Sequence, residues 1–209
     1  MAVHATFHTG RILLFTLAII VGIAIALPNG AGAQIRERIE ASPEAEVDAA
    51  GVLGEFEYQS PQFGYTVEWA EPWVVDPAAT ESNIGIALDR LSLISGTARF
   101  QVFFVAAEGE TAAEYAERFI DFRISYDPTT EIVTTGDRRG LTWIAYSFVS
   151  DGQQAVGVAE ISLSADGTAI QVVEVMDYDV TFEDAFDSAS TGVELDGASP
   201  FRVLVEWPG

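Results

Sequence analysis

The 209-residue chain contains no cysteine and no lysine, and its two histidines, His4 and His8, fall within the first eight positions. Each absence removes a class of chemistry. Without cysteine there is no thiolate nucleophile, no soft metal ligand and no disulfide. Without lysine there is no Schiff-base amine, and without histidine beyond residue 8 the commonest general base and nitrogen ligand are missing. Carboxylates, hydroxyls, arginines, amides and aromatics remain. Stability cannot come from cross-links and must come from a hydrophobic core.

Both histidines lie in a segment with the marks of an export signal. Arg11 precedes an almost wholly apolar run from Ile12 to Leu27, which is followed by Pro28, Gly30 and the small residues Ala31-Gly32-Ala33. Small residues at −3 and −1 suit a signal peptidase, so residues 1–33 read as a signal peptide cleaved before Gln34. The alternative is an uncleaved anchor. The apolar run is shorter than the roughly 20 residues that span a bilayer, and Pro28 and Gly30 would interrupt a helix there. No cysteine is present to carry a lipid, which excludes a lipoprotein. The expected location is secreted or extracytoplasmic.

Removing residues 1–33 leaves nine arginines against 32 acidic residues, a balance of −23. A charge of that size keeps the protein soluble and repels nucleic acid and anionic lipid surfaces. Neither nucleic acid nor, after cleavage, a membrane is an expected partner; an unidentified protein or small ligand is. An arginine-only basic set fits a GC-rich genome, a saline habitat or a hot one, and composition alone does not separate these.

Residues 34–54 are rich in Ala and Glu, contain Pro43 and have few large apolar side chains, which predicts an acidic flexible tether. Residues 55–209 read as a single α+β domain. Phe56–Tyr58 and Phe63–Trp69, separated by Ser60-Pro61-Gln62, predict a β-hairpin. Further strands are predicted over 84–88, 97–106, 131–135, 141–149, 155–163 and 169–176. Turns are expected at Gly136–Gly140 and Ser164–Gly167, which makes the sheet mainly antiparallel. Val156 and Val158 alternate with Ala159, Ile161 and Leu163, so both faces of that strand are apolar and both faces of the sheet should be covered.

Two helices complete the pattern. One opens at Thr111 with Glu114 three residues on, a capping box, with Tyr115, Phe119 and Phe122 on the buried face and Glu114 placed to pair with Arg118. The other starts near Thr181 and ends near Gly192, with Glu183 and Asp184 in its first turn. Phe201–Trp207 is a last apolar run, suited to an edge strand or to packing across the helices.

The segment Tyr58-Gln59-Ser60-Pro61-Gln62-Phe63-Gly64-Tyr65-Thr66-Val67-Glu68-Trp69, closed by Pro72-Trp73-Val74-Val75, resembles the first hairpin of the PsbP-like superfamily. The element order from Glu55 to Val193 is similar as well. The resemblance implies an antiparallel sheet flanked by helices, an α/β/α sandwich, in an exported bacterial member, with a role in binding and assembly. It brings no catalytic set to carry over. The tether and the Phe201–Trp207 run depart from the family's core pattern.

Four groups of residues are candidates for chemistry. Asp177, Asp179, Glu183 and Asp184 offer hard oxygen ligands that could bind calcium, although the spacing departs from an EF-hand. The plainer reading is a helix N-terminus decorated with acids. Glu160 and Glu174 are a possible carboxylate pair for glycoside hydrolysis, on strands joined by the Asp166-Gly167 turn. Trp69, Trp73 and Tyr65 could line an aromatic ligand surface or fill the core. Arg138-Arg139 could hold a carboxylate or phosphate, or be a solvated turn. No cofactor is implied. The expected function is an exported, non-catalytic binding or assembly module; the alternatives are a carboxylate-based or metal-dependent hydrolase and a membrane-anchored accessory subunit. An enzyme predicts a concave pocket with two buried carboxylates, a binding module an apolar patch at the surface.

Overall fold

The computed structural model describes residues 50–178 and 181–202. In chain order the elements are β1 (Glu57–Gln59), β2 (Thr66–Trp69), β3 (Val74–Val75), β4 (Glu81–Asn83), a 3-10 turn (Ile84–Ile86), β5 (Leu88–Ser95), β6 (Ala98–Ala106), α1 (Ala112–Tyr126), β7 (Glu131–Arg138), β8 (Leu141–Ser150), β9 (Gln153–Leu163), β10 (Ala169–Asp177), α2 (Phe182–Gly192) and β11 (Val193–Leu195). The expected signal peptide, most of the tether and all of the apolar run beyond Arg202 lie outside the described residues. Among the described residues no helix is long and apolar enough to cross a membrane.

The result is a β-rich α+β fold in which all strand pairings are antiparallel. The main sheet runs β3-β5-β6-β10-β9-β8-β7, with β4 added beside β5, and a small sheet has the order β1-β2-β11. The predicted first hairpin forms, with Tyr58 opposite Val67. Tight hairpins organise the long strands. Arg139-Gly140 and Asp151-Gly152 both have positive φ at their two positions, the geometry that matches the twist of a two-residue hairpin. The expected five-residue turn at 136–140 is therefore shorter than predicted, because β7 continues to Arg138 and only Arg139-Gly140 reverses the chain.

Both faces of the main sheet are covered. On one, Ile144, Ile161, Ile170 and Val172 pack against Tyr115, Ala116 and Phe119 of α1. On the other, Leu91, Phe100, Val102 and Val175 pack against the small sheet, Phe186 of α2 and Phe201. The capping box of α1 is present: Thr111 Oγ1 accepts from the Glu114 amide at 3.2 Å, and Glu114 Oε2 accepts from the Thr111 amide at 2.9 Å. With Glu114 so engaged, the expected Glu114–Arg118 pair does not form. Arg118 reaches back to Glu110 with two bonds of 3.1 and 2.6 Å. Of the predicted buried face, Tyr115 and Phe119 are buried and Phe122 is half-exposed at the end of the helix.

Two further expectations are corrected. Residues 84–86 are not a strand: Asn83 Oδ1 accepts from the Gly85 amide at 3.0 Å, and Ala87 at φ 46° ends a 3-10 turn. The strand lies downstream at Leu88–Ser95, where Asp89, Arg90 and Ser92 interrupt the apolar pattern. Residues 50–54, placed in the tether by composition, join the small sheet's edge, with Val52 bridging Tyr58 and the Leu53 amide donating to the Glu57 carbonyl at 2.9 Å.

Candidate binding site

The 3-10 turn carries the most exposed large apolar side chain among the described residues. Ile84 is 84% exposed and Ile86 49%, and no residue of the turn is buried. The turn is nevertheless fixed. Asn83 caps it, the Ala87 amide donates to the Ile84 carbonyl at 3.2 Å, and the Ala87 carbonyl accepts from the Ala106 amide of β6 at 3.3 Å. Two β-branched side chains are thus held in water on a rigid support, at a cost that an ordinary solvated loop would avoid by using polar residues.

Beneath the turn lies Asp89, which is 0% exposed and pairs in register with Ser82 of β4 and Phe104 of β6. Its carboxylate accepts from Ser60 Oγ and Ser82 Oγ, and from the Gln62 amide and Gln62 Nε2, both at 2.7 Å. Burial by itself opposes ionisation, but these four donors together hold the pKa below its ordinary 3.8. Gln62 Nε2 also donates to the Leu88 carbonyl at 2.8 Å and to Ser82 Oγ at 3.0 Å. Tyr65 stacks on Phe104 at 4.1 Å between ring centroids and closes the apolar side of this site. Composition gave no hint of it, since an isolated Asp in a strand reads as an interruption; the Ser60-Pro61-Gln62 motif was the available signal.

The other candidates are dispersed. Tyr65, Trp69 and Trp73 are buried in the core between the two sheets, so their rings fill the interior and present no surface to a ligand. Trp73 lies across Gly192, where a Cβ would come within 2.5 Å of its Nε1. Arg138 and Arg139 are exposed at the β7–β8 hairpin tip, on the edge strand of the main sheet opposite β3.

Glu160 and Glu174 are both buried, at 3% and 0% exposure, but they occupy opposite faces of the main sheet. Glu160 pairs in register with Val173 and Glu174 with Ala159, one position out of step, and side chains alternate along each strand. Glu174 faces α1, where it accepts from Arg123 Nη2 and, at 2.5 Å, from the Tyr146 hydroxyl. Burial opposes the Arg123 charge, but Glu174 outweighs it and raises the pKa. Glu160 faces the other side and accepts from the Arg202 amide at 2.8 Å. A glycosidase pair must flank one bond, so this arrangement corrects the expectation that the two carboxylates approach each other.

Of the proposed calcium ligands, Asp179 lies outside the described residues. Asp177 is buried and accepts from Thr97 Oγ1 at 2.8 Å, while Asp184 accepts from Thr181 Oγ1 at 2.8 Å as part of the α2 cap. Glu183 is exposed. Among the described residues no three acidic side chains converge on a point that could hold a metal ion. No family model matches the chain, and no curated protein matches it in sequence.

Proposed function

We propose that the chain is an exported, non-catalytic binding or assembly module of PsbP-like type that docks on a partner protein through the Ile84–Ile86 turn. The observation that carries this reading is the pair of isoleucines held rigidly in solvent on a capped turn. Covering an isoleucine is worth about 1.5–3 kcal/mol, so two on a preorganised support can anchor an interface. The fitting partner offers an apolar pocket with a basic rim, since the exported chain sets nine arginines against 32 acidic residues. The PsbP-like assignment is supported by the aromatic hairpin from Tyr58 to Trp69 and by helices on both faces of an antiparallel sheet.

The test is photocrosslinking in the exporting cell with a photoreactive residue at position 84. A discrete adduct with one protein is expected, absent when the probe stands at Glu117 on the exposed side of α1 and lost when Ile86→Asp is added. Equal labelling from positions 84 and 117, or an adduct indifferent to Ile86→Asp, would refute the docking role.

A further inference from the structure

We infer that Asp89 is the positioning residue of the docking turn, locking it and the 60–65 loop into one unit; this rests on the reading of Ile84–Ile86 as the docking element. Two segments remote in sequence end on one carboxylate. Ser60 and Gln62 bind it from the loop after β1, and Ser82 binds it from β4, two residues before Ile84. β4 has only three residues and lies off the main strand order, paired to β5 alone; the Glu81–Arg90 ion pair holds its start and the Ala106 amide holds the turn's far end at Ala87, while Ser82 on Asp89 ties its middle to the 60–65 loop.

The choice of residue supports a positioning role. A fully buried carboxylate is costly, and among the described residues no arginine pairs with this one. An apolar side chain at position 89 would extend the core formed by Leu91 and Leu93 on the same face of β5. What the carboxylate adds is directional: an ionised acid accepts only, and four donors converge on it, so the geometry of both segments is tied to one point. Gln62 closes the arrangement by bonding Ser82 and Leu88 as well. Loosening any one arm should therefore loosen the others.

Hydrogen exchange on the full chain, followed by mass spectrometry, reads this coupling without any partner. In Asp89→Asn, amides of segments 60–65 and 82–87 should exchange about tenfold faster, as expected for loss of a buried hydrogen bond, while those of β8 and β9 keep their protection. Ser60→Ala should also speed exchange at 82–87, and Ser82→Ala should speed it at 60–65, whereas Ser82→Thr, which keeps the hydroxyl, should restore protection. Acceleration confined to the mutated segment would overturn the lock. If Asp89→Asn does not fold, the two serine variants decide the matter alone. The crosslink from position 84 should fall about tenfold in Ser60→Ala, a residue remote from the turn. A wild-type chain that gives no crosslink while showing coupled exchange would refute the docking role and leave the lock standing.

Discussion

Tyr146 reaches Glu174 only because Gly157 leaves room beneath its ring. A Cβ at position 157 would clash with Cζ, Cε2 and the hydroxyl of Tyr146, so Gly157→Ala must push Tyr146 aside and disturb its bond to the carboxylate. The expected cost is about 1–3 kcal/mol, read as a lower urea midpoint at unchanged slope. Buried ionisable groups also set the limits of pH stability. Burial first, and then Asp89, pushes the Tyr58 pKa up to about 12; Tyr115 is likewise held at about 12 by burial. A phenol whose folded pKa lies above its unfolded value of 10.0 stabilises fully below pH 10 and loses that contribution as the pH rises toward 12. The melting temperature should therefore fall between pH 10 and 12, with ionisation followed by absorbance. Asp89 acts at the other end. Its lowered pKa gives stability above pH 3.8 that is lost as the pH falls below that value, so Asp89→Asn should flatten the acid limb of the stability curve.

At the level of elements, α1 depends on a start signal that can be removed singly. Thr111→Ala deletes the acceptor for the Glu114 amide and should cost about 1 kcal/mol, measured by thermal or urea unfolding. This helix was legible because its evidence is local: a capping box followed by aromatics at helical spacing. The long strands β6, β8, β9 and β10 were legible for a similar reason, since each is an apolar run with a Gly or Asp-Gly turn at one end or both. What sequence could not show was tertiary. β5 is hidden because Asp89 and Ser92 are buried polar residues that break the apolar run, and the partners that let Asp89 be buried come from elsewhere in the chain. Glu160 and Glu174 were recognisable as a pair of acids on adjacent strands, but their separation depends on a one-residue register that no local pattern fixes. The aromatic candidates pointed both to core and to surface, and burial decided for core. Ile84 and Ile86 passed for strand residues because exposure is set by the fold around them.

The whole molecule sets 10 arginines against 32 acidic residues. Four arginines are joined to carboxylates among the described residues, by Glu81, Asp76, Glu110 and Glu174. The remaining acid excess repels itself, so moderate salt should raise the melting temperature, most steeply at low ionic strength, as calorimetry across sodium chloride concentrations would show. The sheet order has a consequence for the path by which this fold assembles. Strands β7 to β10 follow one another and pair with their neighbours, as do β5 and β6, but the two groups meet only where β6 lies against β10. That seam, Ala98–Ala106 against Ala169–Asp177, joins segments separated by α1 and three strands, so its closure entropy must be met before any contact across it is gained. Two meanders formed from near neighbours are therefore expected to dock late along this shared strand pair, which, with the still longer-range pairing of β2 and β11, should slow the chain's approach to its native state.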